Sequence, residues 1–399
     1  MHATAVLQKL LRRSIPSLHL KRLTTLVAVV GSALQGGRLT LSALGRSLNG
    51  GCAVRHRIKR VDRLLGNTHL HQDRLLFYRC LCDLLLAGRP EPILIVDWSD
   101  LRPDRRLQVL RASVWVHGFA LTIYEEVHPL RRQNSPRVHH DFLLTLRMLL
   151  PEHCRPVIVA DAGFRSTWFQ QLDSMGWHWV GRIRGRTLVE MAPESWVRCT
   201  TLGARATGSP RALGPHRVVR ARPVLCGLYL YRKAALGRRR KTLLGQRASC
   251  RHSLVCSARE REPWLLGASL SLADRSALEI VQIYRLRMRI EHSFRTLKSH
   301  QFGFAFEDSQ SRGAERIAVL LLVQALALLL AWIAGWAAQR TGLQHQLKSN
   351  ADRRHTSMSI ITLGCYALSM LQLHLSDHDV ASAVRTHPPL AFSPRRAGI

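Results

Sequence analysis

Four polar residues recur along residues 284–298, which read YRLRMRIEHSFRTLK. They are Tyr284, Arg287, Glu291 and Lys298. Helix-forming residues dominate the segment and neither Gly nor Pro interrupts it, so we predict a single helix. At about 100° per residue, the four side chains fall within roughly 60° of one another and form a polar stripe beside an apolar face. A carboxylate among a phenol, a guanidinium and an amine suits chemistry on a phosphate, because all three neighbours can contact phosphate oxygens.

Two further acids each end a short apolar run. Residues 92–97 read PILIVD and residues 156–161 read PVIVAD. Both runs are typical of buried strands whose carboxyl ends open into a site. Taken singly, such an acid is more often a strand-end residue or a helix N-cap, and Arg287 with Glu291 could be a solvated ion pair on an ordinary amphipathic helix. The repeated strand pattern upstream of Glu291 favours a joint role for the three acids.

The composition predicts a folded protein with a polyanionic partner. The chain has 399 residues, 46% of them hydrophobic, which allows two or three domains with a sizeable core. Its 59 Lys and Arg against 26 Asp and Glu give a net charge of +33, and this self-repulsion opposes compaction until a polyanion neutralises it. Nucleic acid is the expected partner, although an acidic membrane surface would also attract the chain. The nine Cys form no CxxC pair, so neither a disulfide framework nor a zinc site is indicated, and we expect a reducing cytoplasm.

The first 66 residues predict a basic helical module, because they contain twelve Lys or Arg and a single acid, Asp62. Two short helices over residues 39–48 and 54–65 would flank a break at the glycines of positions 50–51. This is the arrangement of helix-turn-helix DNA readers. The alternative is a solvated basic helix. The side chains of the second helix that could contact phosphates and base edges are Arg55, Arg57, Lys59, Arg60 and Arg63.

Three other segments have a distinct character. A helix is predicted over residues 139–150, on which His139 and its neighbours diverge and are expected to be polar surface. Residues 195–259 contain fifteen Lys or Arg and no acid, which indicates a small β-rich insertion facing DNA, with the densest charge run at 238–241. Residues 317–338 carry no formal charge and could span a membrane by length. Their small residues and basic flanks favour a buried helix instead. Residues 350–374 are expected to be helical, and residues 387–399 are expected to be a flexible tail.

The spacing of the four polar residues resembles the Y-R-E-K signature of bacterial cut-and-paste transposases of the insertion-sequence-four family. The blocks LRASVWVHG, YEEVHP, VADAGF, GWHWVGRIRG, EPWLL and YRLRMRIEHSFRTLKS are similar to those of the insertion-sequence-ten (transposon-ten) branch, and together they span roughly residues 94–299. The resemblance implies that Asp97, Asp161 and Glu291 are a DDE triad that binds two Mg²⁺ ions, for which Mn²⁺ can substitute.

The resemblance also assigns roles to five residues around the signature. Tyr284, Arg287 and Lys298 would contact phosphates of the transposon end. Trp264 and Met288 would handle a flipped base during hairpin formation, and core packing is the alternative for both. The implied activity is binding of the terminal inverted repeats, cleavage of both strands through a hairpin, and joining of the 3′-OH ends to target DNA. An RNase H-like nuclease or resolvase without strand transfer, or a non-enzymatic basic DNA-binding protein, are the other classes.

The expected fold is α/β, with an RNase H-like (retroviral-integrase-like) catalytic core interrupted by a β-rich insertion. An N-terminal all-α DNA-binding domain and a helical C-terminal region complete it. The partners implied are double-stranded DNA, at both transposon ends and target, and a second copy in a homodimeric synaptic complex. No membrane is expected, and the location is the bacterial cytoplasm at the nucleoid. The predicted helical DNA-binding domain covers residues 1–70. The two parts of the RNase H-like core cover residues 71–182 and 263–345, with the basic β-rich insertion at 183–262 between them. The helical C-terminal region with its tail covers residues 346–399.

Overall fold

The computed structural model describes residues 3–36, 38–116, 118–234, 246, 250, 254, 262–300, 303–346, 358–370 and 374–385. The chain divides into two compact units. The first unit contains residues 1–154 and 288–399, and the second unit contains residues 155–287. The predicted charge run at 238–241 and the predicted tail from 387 lie outside the described residues.

The protein is a mixed α/β chain. The α-helices of the described residues are α1 Ala3–Ser14, α2 Leu20–Gly36, α3 Leu41–Ser47, α4 Val54–Leu65, α5 Thr68–Leu86, α6 Pro136–Leu149, α7 Ser166–Ser174, α8 Cys199–Leu202, α9 Ala277–Arg285, α10 Met288–Lys298, α11 Ala314–Arg340, α12 Leu343–Gln346, α13 Ile360–Ser369 and α14 Asp377–Arg385. The strands are β1 Ile93–Asp100, β2 Leu107–Val116, β3 Phe119–Pro129, β4 Val157–Ala160, β5 His178–Ile183, β6 Leu188–Ala192, β7 Ser195–Arg198, β8 Arg211–Val218, β9 Val224–Tyr231 and β10 Trp264–Ala268.

The first unit holds three antiparallel strands in the order β3-β2-β1. The strand predicted from residues 92–97 runs on to Asp100, and its burial ends at Val96, so Asp97 is the first half-buried position rather than the last residue of the strand. Helix α10 packs against β1 and β3. On the opposite face of the strands, α6 contacts them through Phe142, whose ring stacks on that of Tyr124 at 4.9 Å between centroids.

Helix α11 forms the centre of the first unit. By length and composition it could cross a membrane, but its most apolar stretch is entirely buried inside the protein. It packs against α2, α4, α5, α13, α14 and β3. The prediction of a buried helix over residues 317–338 is therefore confirmed, because protein rather than lipid covers every face of its apolar surface.

The predicted helices of the N-terminal module are present as α3 and α4. Thr40 caps α3, since its hydroxyl accepts from the Ala43 N–H at 3.2 Å. The two helices cross closely at Gly45, where an added Cβ would lie 2.5 Å from Ile58. The Arg316 guanidinium of α11 donates to Asp62 of α4 at 2.7 Å, so the module is held against the core of the first unit.

The second unit holds a seven-stranded mixed sheet in the order β4-β5-β10-β9-β8-β6-β7. Only β4 and β5 are parallel, and the other neighbours are antiparallel. The segment predicted to be a β-rich insertion supplies β6 to β9, and β9 pairs along β10, with Tyr231 opposite Trp264. The strands of this segment therefore extend a sheet that already contains β4, β5 and β10.

Two sequence-based predictions are wrong. Residues 284–298 form two helices, because α9 ends at Arg285 and α10 begins at Met288, with a turn between them. Ile283 is buried in the second unit, whereas Ile290 and Phe294 are buried in the first. Packing of each segment in its own unit outweighs the helix propensity of the two residues between, and propensity is only a weak preference.

The second wrong prediction concerns His139, which is buried rather than polar surface. It lies on the apolar face of α6, at i, i+3 and i+7 with Phe142 and Leu146, which are also buried. The indole N–H of Trp98 donates to its Nε2 at 2.9 Å. A buried imidazole is acceptable here because this bond satisfies one of its ring nitrogens.

Candidate active site

Asp97 lies in a row of charged residues that crosses the three strands of the first unit. In the strand register Asp97 is opposite Arg111, and Arg111 is opposite Glu125. Residues directly opposite in antiparallel strands place their side chains on the same face. The Asp97 Oδ1 accepts from the backbone N–H of Trp98 at 2.8 Å, which fixes the orientation of its carboxylate.

Glu291 and Lys298 lie on one face of α10, because seven residues make almost two complete turns. Glu291 is in the first helical turn, where the helix dipole favours a carboxylate. The Lys298 Nζ donates to the Ser99 Oγ of β1 at 3.1 Å. Ser99 is two residues from Asp97, so both point to the same face of the strand. Burial lowers the pKa of Lys298, while the charges of Glu307 and Asp100 oppose that shift.

Arg111 joins the charged row to α10. Its side chain is fully buried, and its Nε and Nη2 contact the Glu125 carboxylate at 2.8 and 2.7 Å. Its Nη1 donates to the Ser293 hydroxyl of α10 at 2.8 Å, and its Nη2 also donates to the Gln324 Oε1 of α11 at 3.1 Å. The Arg111 Cζ lies 4.8 Å from the centre of the Phe294 ring. One guanidinium thus bridges a strand pair and two helices.

A second group of polar side chains lies on the opposite face of these strands. The Trp98 ring lies edge-on to the ring of His128 at 5.6 Å between centroids, and it donates to His139. His128 in turn contacts the Glu126 carboxylate at 2.7 Å. Burial, with a smaller contribution from the neighbouring His128 charge, lowers the pKa of His139 to about 4. His139 is therefore neutral at neutral pH.

Asp161 lies in the second unit, directly after β4. It is half-buried. Its Oδ1 accepts from the Gly163 N–H at 2.7 Å, which closes an Asx-type turn before α7. The predicted buried strand with an acid at its carboxyl end is therefore confirmed here.

Three of the other predicted residues also lie in the second unit. Trp264 opens β10 and is half-buried, and its ring meets the rings of Tyr231 and Tyr284 edge to face at 5.8 and 5.0 Å between centroids. Tyr284 is buried, with 4% of its surface exposed. Arg287 is half-buried in the turn after α9. Met288 belongs to the first unit, and its side chain is exposed.

A charged cluster of the second unit lies at the start of β10. Glu262 contacts Arg184 at 2.5 and 2.8 Å and Arg182 at 3.4 Å. Burial lowers the pKa of Arg182, while the Tyr284 and Glu262 charges raise it. Arg182 and Arg184 hold the carboxylate of Glu262, which directly precedes Pro263 and Trp264. This cluster therefore fixes the start of β10.

The basic residues predicted for DNA binding differ in their surroundings on α4. Arg57 is half-buried and donates to the Leu48 carbonyl. Arg60 donates to the Thr25 hydroxyl at 3.2 Å, and Lys59 donates to Asp62 at 3.3 Å. Arg55 and Arg63 are exposed. The helix therefore presents some basic side chains to solvent and uses others to hold the module together.

The structure places Asp97, Glu291 and Lys298 in the first unit and Asp161 in the second. In the part of the chain that the structure describes, no three His, Cys, Asp or Glu side chains gather closely enough to hold a metal ion. The donor set itself fits Mg²⁺, because hard cations take carboxylate oxygens as ligands and need few of them. The role of the three acids as metal ligands stays a prediction.

Arg111 and Glu125 were not predicted from the sequence. The signal that could have found them is a single Arg within the apolar run LRASVWV and a Glu in the next strand. A cation inside a buried strand needs a buried partner, and the adjacent strand is the nearest place for one.

One comparison with known proteins identifies a family for this chain. The model of the transposase DDE domain matches residues 88–330. Among solved structures, the chain is similar to a piggyBac transposase in a synaptic complex with hairpin DNA, with 10% identity and a TM-score of 0.44 over 92% of this chain and 76% of that one. No curated protein sequence matches. Since the domain model covers more than half of the chain, this protein belongs to the family of DDE transposases.

Proposed function

We propose that the protein is the transposase of an insertion sequence of the insertion-sequence-four family, in the insertion-sequence-ten branch. It binds the terminal inverted repeats, cleaves both strands through a hairpin, and joins the 3′-OH ends to target DNA. The observation that carries the proposal is the placement of Glu291 and Lys298 along one face of α10, with Lys298 bonded to Ser99 two residues beyond Asp97. A carboxylate and a phosphate-binding cation are thereby held beside the strand of a second carboxylate.

Asp97, Asp161 and Glu291 would hold two Mg²⁺ ions, and Mn²⁺ would serve in their place. When bound, such ions supply an activated water and a stabilised leaving oxygen for phosphodiester cleavage. The backbone N–H groups of Trp98 and Gly163 donate to Asp97 and Asp161 at 2.8 and 2.7 Å, and these bonds restrict the rotation of each carboxylate. Orientation of this kind is the contribution that a protein makes to a cation site.

The proposed DNA contacts come from the signature, from α4, and from Trp264 and Met288. Lys298, with Tyr284 and Arg287, contacts phosphates of the transposon end, because an ammonium, a phenol and a guanidinium donate to phosphate oxygens. The exposed basic side chains of α4 add phosphate and base contacts, as in a helix-turn-helix module. Trp264 and Met288 handle the base that leaves the stack when the hairpin forms.

The proposed catalytic fold is RNase H-like. It is supported by three antiparallel strands, β1 to β3, followed by α6 and the parallel pair β4 and β5. The α1 to α4 module is the proposed DNA-binding domain, and the synaptic complex is a homodimer on double-stranded DNA in the bacterial cytoplasm. The high net charge of +33 supports a nucleic acid partner.

The test replaces each acid by its amide, using Asp97→Asn, Asp161→Asn and Glu291→Gln. An amide oxygen preserves the acceptor for the backbone N–H at both aspartates, so the fold is kept while the charge is lost. Each variant is expected to lose Mg²⁺-dependent cleavage of an end fragment by at least 100-fold while binding the same DNA, since the charge stabilisation that a bound cation would supply in the transition state is worth several kcal/mol. Asp141→Asn is the control, because Asp141 is an exposed acid on α6.

Normal cleavage by any of the three variants would remove that residue from the triad. A precut end incubated with target DNA tests the joining step separately. Cleavage without joining of the precut end would identify a nuclease or resolvase instead of a transposase.

A further inference from the structure

The buried pair of Arg111 and Glu125 is an unusual choice for the interior of the first unit. Both side chains are buried, with 0% and 1% of their side-chain surface exposed. Removing two charges from water is costly, and the attraction between them commonly offsets only that cost. Apolar side chains of similar volume would stabilise such a position as well or better. Stability alone therefore gives a weak reason for this pair.

The contacts of Arg111 suggest a reason beyond stability. Its three nitrogens donate to Glu125 on β3, to Ser293 on α10 and to Gln324 on α11. The Tyr78 hydroxyl of α5 lies 3.4 Å from the other Glu125 oxygen. A planar guanidinium donates in fixed directions, so these bonds set both the distance and the rotation of α10 against the strands.

The same residue is next to both proposed metal ligands of the first unit. Arg111 is opposite Asp97 in the strand register, and Ser293 follows Glu291 by two residues on α10. A rotation or shift of α10 would move Glu291 relative to Asp97.

We propose that Arg111, held by Glu125, is a positioning residue that fixes the Glu291 helix against the Asp97 strand and so sets the affinity of the site for divalent cations. This role rests on the proposed function, since it assumes that Asp97 and Glu291 bind the cation. Arg111 itself touches neither the cation nor the DNA. Partners that orient metal ligands change metal affinity by about 10–100-fold when they are removed.

The experiment compares single and double variants of the full-length protein, with Mn²⁺ as the probe. Arg111→Met and Glu125→Leu each leave one buried charge without its partner, so each is expected to lower the thermal midpoint. The double variant, Arg111→Met with Glu125→Leu, is expected to regain a midpoint close to that of the wild type. Its Mn²⁺ affinity, measured by electron paramagnetic resonance of the free ion, is expected to remain about tenfold weaker. The Mg²⁺ concentration for half-maximal cleavage should rise in parallel.

A smaller change tests the same role without touching the ion pair. Ser293→Ala removes the bond from Arg111 to α10. It is expected to weaken Mn²⁺ binding in the same direction, with only the modest decrease in thermal midpoint that follows from the loss of one buried hydrogen bond. Thr296→Val is the matched control, because the Thr296 hydroxyl donates to the His292 carbonyl within the same helix at 3.0 Å and not to Arg111. Its Mn²⁺ affinity should equal that of the wild type.

Two outcomes would contradict the proposal in different ways. If the double variant and Ser293→Ala both bind Mn²⁺ as the wild type does, Arg111 is only a structural residue and the proposed function stands. The other outcome is that the wild-type protein does not bind Mn²⁺, or that Asp97→Asn and Glu291→Gln bind it as the wild type does. In that case the proposed metal site fails and the positioning role fails with it.

Discussion

Trp264 is the residue for which packing and base handling make opposite predictions. Its ring is half-buried between Tyr231 and Tyr284 in the second unit. Trp264→Ala is expected to fold, to nick the first strand, and then to accumulate nicked DNA, because the lost stacking is needed only when the extruded base must be held. A gel that separates nicked from hairpin products measures this. Trp264→Phe should restore part of the hairpin product.

The stability of Trp264→Ala also distinguishes core packing from base handling. Trp179 is almost fully buried in the same unit, and Trp179→Ala is expected to cost about 3–5 kcal/mol in free energy of unfolding. Trp264→Ala should cost clearly less because its ring is only half-buried. A stable Trp264→Ala protein that closes hairpins at the normal rate would refute the base-handling role.

His139 predicts a pH dependence of stability. Its pKa in the folded protein is about 4, against about 6.5 in the unfolded chain, so the unfolded state binds more protons between these two values. The contribution of His139 to the free energy of unfolding is therefore complete above pH 6.5 and declines as the pH falls toward 4. At pH 5 the loss is about 2 kcal/mol.

Chemical denaturation of the wild type and His139→Gln at pH 7.5 and pH 5 measures this loss. The amide oxygen of Gln can accept the Trp98 N–H bond but does not titrate in this range. The difference between the two proteins should narrow by about 2 kcal/mol at pH 5. His140→Gln, at the exposed neighbouring position, should follow the wild type at both pH values. An unchanged difference would show that His139 does not titrate as described.

At the residue scale, the sequence indicated the acids better than the groups that orient them. Asp161 follows a buried strand as predicted, because an apolar run with an acid at its end has a local signature. Arg111 and Glu125 are 14 residues apart and meet only through the register of β2 and β3. No local pattern specifies that register, since it depends on the turn and on a bulge after Ala112.

At the scale of elements, the sequence pattern predicted α3, α4 and α11 but not the break within the signature. The α4 bounds agree with the predicted residues 54–65, and the buried α11 extends the predicted segment at both ends. Neither Gly nor Pro occurs at the break, residues 286–287, so no local residue type indicates it. It arises because α9 and α10 bury their apolar sides in different units, which a single-sequence pattern does not contain.

The close crossing of α11 and α13 is a feature of the structure that the sequence did not predict, and it leads to a prediction about stability. An added Cβ at Gly335 would lie 2.0 Å from the Ile360 carbonyl oxygen, and one at Gly364 would lie 1.7 Å from the Ala331 carbonyl oxygen. Backbone atoms cannot move aside as a flexible side chain can. Gly335→Ala and Gly364→Ala are each expected to lower the free energy of unfolding by about 1–3 kcal/mol. Thermal denaturation measures this.

The control for the helix crossing is Gly51→Ala, because a Cβ at Gly51 meets no atom within 4 Å. This variant should unfold within about 0.5 kcal/mol of the wild type. If Gly335→Ala and Gly364→Ala were as stable as the control, the close approach of α11 and α13 would not exist in solution.

At the scale of the whole molecule, the charge of +33 predicts that the proposed binding to DNA depends strongly on the salt concentration. Each Lys or Arg that neutralises a phosphate releases counterions, so affinity falls as a power of the salt concentration. The basic side chains of α4 are not expected to contribute equally to this effect. Arg63 is exposed, whereas Arg57 is half-buried and holds the Leu48 carbonyl.

Arg63→Ala and Arg57→Ala are therefore expected to differ in the full-length protein. Arg63→Ala should weaken end binding and reduce the slope of log affinity against log salt by about 1, with an unchanged thermal midpoint. Arg57→Ala should lower the thermal midpoint, because it removes a bond that joins α4 to the residue after α3. Fluorescence anisotropy of a labelled end at several salt concentrations measures the slope. If Arg63→Ala binds with the wild-type slope, the phosphate contacts lie outside this helix, and the basic strands of the second unit become the next surface to test.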